Sequence, residues 1–128
     1  MNERDNELER YEEFMRTYPR SLETLYWANS LYESGRYYYE LASYYYDYDM
    51  FEDVIYFCSE ARPYYSQSSQ EYKNAEASFE KAKKSASQDF EEIITNYIGL
   101  ADADDKASVN MYEACEYFEL ASLKQGVR

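Results

Sequence analysis

The stretch RYYYELASYYYDYDMFEDVIYFCSEAR, residues 36–62, decides the fold. Phe51, Val54, Ile55 and Cys58 fall at i, i+3, i+4 and i+7, the spacing of one face of an α-helix. Ahead of them, at 100° per residue, Tyr38, Leu41, Ala42 and Tyr45 share one arc, which is assigned to the core. Tyr37, Tyr44 and Tyr48 fall on the adjoining arc with Glu40 and Asp47. Tyrosine favours strands, and Tyr44–Tyr46 taken alone reads that way. The surrounding period is helical, so the stretch reads as two helices, 36–47 and 50–62. Asp49 with Glu52 three residues on has the form of a capping box for the second.

The same spacing recurs at Phe90, Ile93, Ile94 and Tyr97, and at Met111, Ala114, Cys115 and Phe118. Alternation of the strand kind lasts only a few residues anywhere. Three glycines and two prolines then serve as expected helix ends. Pro19 stops the first helix, Ser21 caps the second and Gly35 ends it. Pro63 interrupts after Ala61, Ser68 with Glu71 forms a second capping box, and Gly99 and Gly126 lie at later ends. The expected helices are 3–17, 21–34, 36–47, 50–62, 68–86, 88–100 and 103–124. The join at 86–88 is weak, because Tyr72, Ala75, Phe79, Ala82 and Ala86 run on in heptad-like spacing towards Ile93. The expectation is one all-α domain over residues 1–128, an antiparallel bundle or set of hairpins of about six or seven helices.

Composition narrows the function. Leu, Ile, Val and Phe make up only 21 of 128 residues, and the net charge is −13, values typical of disordered chains. Eighteen tyrosines supply the missing apolar area, so a folded, tyrosine-cored domain is expected. Histidine is absent, which removes the usual general base, the commonest metal ligand and the orienting member of nucleophilic triads. Cys58 and Cys115 form no Cys-x-x-Cys pair and read as buried free thiols. A disulfide between them requires two distant helices to meet there.

Other chemistry fails on particular residues. Asp102, Asp104 and Glu113 take positions 1, 3 and 12 of a calcium-loop register, but Lys106 and Ala107 stand at positions 5 and 6. Asp102–Asp105 reads better as the acidic start of the last helix. Glu12-Glu13 is followed by Arg16, and Glu91-Glu92 by Thr95, so neither completes the Glu-Glu-x-x-Glu motif of all-α pyrophosphohydrolases. The expectation is no catalysis, no cofactor and no metal. The longest uncharged apolar-rich run, Ile93–Ala101, is far short of the ~20 residues of a membrane span. The charged first residues lack a signal peptide's apolar core, and a cytoplasmic location is expected. The acidic balance repels phosphate backbones and anionic lipid, and Lys81, Lys83 and Lys84 are too few to reverse that.

Three segments share a pattern: Phe51, Val54, Cys58, Ala61; Tyr72, Ala75, Phe79, Ala82; and Met111, Ala114, Phe118, Ala121. Each has a large residue, a smaller one three on, a packing residue seven on and alanine ten on. The pattern resembles the second helix of a tetratricopeptide repeat, and Tyr38, Leu41, Ala42 and Tyr45 stand where that repeat's first helix has its signature residues. Residues 38–61 thus resemble one helix–turn–helix unit. The offsets of 21 and 39 residues depart from that family's period of about 34. The resemblance implies a scaffold that binds peptides or proteins.

Residues 37–65 hold 10 of the 18 tyrosines, and residues 37–60 carry six acids and no base. Tyr37, Glu40, Tyr44, Asp47 and Tyr48 are therefore the candidate partner-binding residues. Exposed rings would supply rigid contact area, and the carboxylates would meet Arg or Lys of a protein partner with a basic surface. The alternative for the rings is plain packing against a neighbouring helix. Two other functions fit the composition: an acidic inhibitor imitating nucleic acid, and a structural homo-oligomer burying its tyrosines. Residues 1–64 carry 14 acids and 6 bases, and residues 65–128 carry 12 and 7. That even spread favours an interaction domain over a charge track.

Overall fold

The computed structural model describes residues 3–125 and contains three long helices. They are α1 (Glu3–Asp47), α2 (Phe51–Ser85) and α3 (Gln88–Lys124). The all-α class stands, but the expected six or seven helices are three. Of the expected breaks, the turn after Asp47 and the weak join at 86–88 are real. Those at Pro19, Gly35, Pro63 and Gly99 are not, and Gly126 lies outside the described residues.

The reason lies in where the breakers sit. Pro19 and Pro63 are exposed. Each proline removes one N–H, freeing a carbonyl four residues back, and on the solvent side water satisfies that carbonyl. Gly35 is buried within α1 against the Tyr65 ring of α2. Packing of a whole helix face outweighs one poor propensity. Ser68 and the run Asp102–Asp105 likewise lie inside helices, not at their starts.

The packing follows a seven-residue repeat. Buried Phe14, Ser21, Ala28, Gly35 and Ala42 line α1; Val54, Ala61, Ser68, Ala75 and Ala82 line α2; Ile94, Ala101, Ser108, Cys115 and Ser122 line α3. A strict repeat of seven keeps a stripe facing its neighbour when helices supercoil left-handedly. Most members are small, which lets backbones approach closely. A second stripe on α2, Cys58, Tyr65, Tyr72 and Phe79, supplies the bulk.

Central α2 packs along both neighbours, whereas the α1 and α3 backbones rarely approach each other. Rings fill the gap between those two. Phe14 meets Phe90 at 5.1 Å and Tyr46 meets Phe118 at 4.8 Å between centroids. The core divides into one cluster around Leu25, Phe79 and Ile94 and another around Val54, Tyr65 and Cys115. A polar layer separates them: Ser68 donates to Ser108 (2.8 Å), Ser69 donates to Asp105, and Tyr72 donates to Asn29 (2.6 Å).

The two turns close differently. Asp49 has φ 58°, its N–H donates to the Tyr46 carbonyl (3.1 Å), and the Met50 N–H donates to the Tyr45 carbonyl (3.0 Å). This is a Schellman closure of α1, with aspartate in the left-handed position. Asp49 therefore ends a helix and does not cap one; Met50 precedes α2 without a side-chain cap. At the other end Ala86 and Ser87 are extended, and the Arg10 Nη2 donates to the Ala86 carbonyl (3.3 Å), tying α1 to that turn.

Candidate partner-binding face

All five candidate residues lie along the C-terminal end of α1 or in its turn. Tyr37, Tyr44 and Tyr48 are 60%, 56% and 63% exposed, and Glu40 and Asp47 are exposed. On the adjoining arc Ala42 is buried, and Tyr38, Leu41 and Tyr45 are half-buried. Plain burial of the three outer rings within the monomer does not occur.

The outer rings rest on an inner layer. Tyr38 stacks on Tyr64 (5.8 Å, 12°) and lies 6.4 Å from Phe57; Tyr45 stacks on Phe57 (5.4 Å, 8°). Against that layer Tyr37 stands edge-on to Tyr38 (5.3 Å) and Tyr44 edge-on to Tyr45 (5.4 Å), while Tyr44 also meets Tyr48 at 4.9 Å. Edge and offset contacts are the favoured aromatic geometries, and they hold the exposed rings in place. Burial, with Tyr64 and Glu60 nearby, raises the Tyr38 hydroxyl above its ordinary pKa, so it stays protonated at neutral pH.

Sequence reasoning left out the α2 side of this face, Tyr56, Phe57, Glu60 and Tyr64. A signal was present: Phe57 and Tyr64 are seven apart, like Tyr38 and Tyr45, the spacing of two helices packed along a heptad seam. A groove of about 380 Å³ lined by Glu33, Tyr37, Tyr38 and Tyr64 extends the face along the helix pair.

Glu40 is not free. The Arg36 Nε donates to its Oε1 (3.0 Å), and Arg36 also reaches Glu33 (3.5 Å). The hydrogen bond that Arg36 donates to Glu40 raises the Arg36 pKa further. Asp47, Asp49, Glu52, Asp53 and Glu60 make no ion pair among the described residues. This end thus presents aromatic surface beside uncompensated negative charge.

The opposite end differs. A pocket of about 420 Å³ there is lined by Tyr11, Phe14 and Phe90 with Glu7, Arg10, Ser85 and Ser87. Among the described residues no three metal-ligating side chains converge, and no helix is long and apolar enough to cross a membrane. The fold and face together define a three-helix antiparallel bundle with one acidic aromatic end. In comparisons with family models, curated proteins and solved structures, no match to this chain is found.

Proposed function

We propose that this protein is a non-enzymatic interaction domain that binds a protein partner with a basic surface. The contact is the acidic tyrosine-rich face of Tyr37, Glu40, Tyr44, Asp47 and Tyr48, extended by Tyr56, Glu60 and Tyr64. One observation carries the reading: three well-exposed rings are braced by an inner aromatic layer, next to carboxylates, Asp47 among them, that make no ion pair among the described residues. Rigid aromatic rings give contact area at little entropic cost, which is why tyrosine is common at binding hot spots. The free, buried cysteines suit a reducing, cytoplasmic setting.

The test is a titration with a panel of Arg- and Lys-rich peptides, some containing apolar residues, followed by NMR. The expected result is saturable shifts at Tyr37, Tyr44, Tyr48, Tyr56 and Tyr64, abolished by Tyr44→Ala and unaffected by Tyr26→Ala, an exposed ring elsewhere on α1. Shifts that spread over every acidic side chain and follow peptide charge alone would support the nucleic-acid-mimic alternative and overturn this reading. Concentration-dependent burial of the same rings in a homo-oligomer would overturn it too.

A further inference from the structure

Cys58 of α2 and Cys115 of α3 are the chain's two cysteines, and both are fully buried in the same core cluster. The helices run antiparallel, aligned by the bond from Ser69 to Asp105. Eleven residues back along α2 and ten forward along α3 from that pair stand Cys58 and Cys115, so they face each other on one seam. Helix axes at 8–10 Å with backbone radii of 2.3 Å let facing Cα atoms come as near as ~3.4–5.4 Å, which overlaps the ~4.4–6.8 Å that a disulfide spans without backbone movement. Cys115 is the hydrogen-bond neighbour of the Cys58 thiol, and that contact, with burial, pushes the Cys58 pKa up.

We propose that Cys58 and Cys115 are an oxidisable dithiol that closes to an intramolecular disulfide stapling α2 to α3. With a diazene oxidant such as diamide, the first thiol adds across the N=N bond. The second thiolate then displaces the nitrogen, forming the S–S bond and releasing the hydrazine. Two protons and two electrons pass from the two S–H groups to the diazene. A thiol reverses the reaction by exchange through a mixed disulfide. Because both sulfurs are sealed in the core, reaction waits on local opening of the α2–α3 seam. The native protein is therefore slow to oxidise, and mild denaturant below the unfolding transition speeds it.

The test uses the whole chain, purified with reductant and then treated with diamide. The expected product is a monomer that has lost two hydrogens in its intact mass, with a single Cys58–Cys115 linked peptide after proteolysis. Its melting temperature is raised by several degrees and returns to the original value with dithiothreitol. Cys58→Ser and Cys115→Ser each abolish the product, and folding is checked by circular dichroism. Three outcomes overturn the proposal. One is disulfide-linked dimers or single-thiol adducts as the main product. Another is a linked monomer that melts lower than the reduced one. The third is no oxidation in mild denaturant while the fully unfolded chain oxidises readily.

Discussion

The ring of Tyr65 occupies the space in which Gly35 would carry a side chain. A Cβ built on Gly35 would come within 3.0 Å of the Tyr65 Cδ1 and Cε1. Tyr65 is fully buried, and Tyr32 stands edge-on to it at 5.3 Å, so the ring has little room to retreat. A glycine inside a helix costs up to ~1 kcal/mol relative to alanine, and here that cost is offset by the close seating of a large ring.

Gly35→Ala should therefore lower stability by about 1–2 kcal/mol in urea unfolding, overpacking outweighing the gain in helix propensity. Gly99 offers the contrast, since nothing lies within 4 Å of its Cβ position. Gly99→Ala should raise stability by up to ~1 kcal/mol. Equal effects at the two sites would mean that the ring yields freely.

Removal of either exposed proline should stabilise the protein. Pro19→Ala or Pro63→Ala restores one backbone hydrogen bond within a helix, with a gain of about 1–3 kcal/mol. Thermal melts of the two variants check this. A lower melting temperature would show that the interruption is needed for packing.

How legible was the fold in the sequence? The helical period, the turn after Asp47 and the start near Gln88 could all be read from residues alone. The prolines and Gly35 misled, because local propensity does not record which side of a helix a residue faces, nor that Tyr65 needs a partner without a side chain. The heptad was visible over Tyr72–Ala86, and its extension through all three helices went unread because most of its members are alanine, serine, glycine and cysteine. The exposed arc of Tyr37, Tyr44 and Tyr48 was legible from 100° spacing. Its α2 half was not, since that depends on how two helices align.

Tyr44→Ala and Tyr45→Ala should separate binding from folding. Tyr44 is mostly exposed, so its loss should change stability by less than ~1 kcal/mol and weaken partner binding by about 1–3 kcal/mol. Tyr45 is half-buried and stacked on Phe57, and its loss should cost roughly 2–3 kcal/mol of stability. Denaturant unfolding and calorimetric titration on the same variants give the two readouts. If Tyr44→Ala unfolds as readily as Tyr45→Ala, the outer ring is structural.

Alkali should unfold the protein through its tyrosines. Burial raises Tyr18, Tyr32, Tyr38, Tyr65 and Tyr72 above their ordinary value of 10.0. A raised folded-state pKa means stability that is fully present below pH 10.0 and is lost as pH climbs through the higher folded values. Helicity should therefore collapse cooperatively above about pH 10, together with a burst of tyrosinate absorbance. Gradual tyrosinate formation with helicity intact would contradict the buried assignments. Asp104, also raised by burial, acts in the same sense at acid pH: its neutral form is favoured when folded, so its contribution is present at low pH and is lost as pH rises through its folded pKa.

A seam whose small residues recur every seven positions is nearly the same after a slide of one repeat, about 10 Å along the axis. Alanine and serine would again meet alanine and serine, so the stripe alone does not fix the longitudinal setting of the three helices. The unrepeated pairs do. A slipped α1 would put a side chain from another turn where Gly35 leaves space for Tyr65, and would leave Asn29 away from Tyr72. A slipped α3 would strand Asp105 in an apolar layer without Ser69. The few odd residues in an otherwise uniform zipper thus act as its index marks, and they select one setting among several of similar packing.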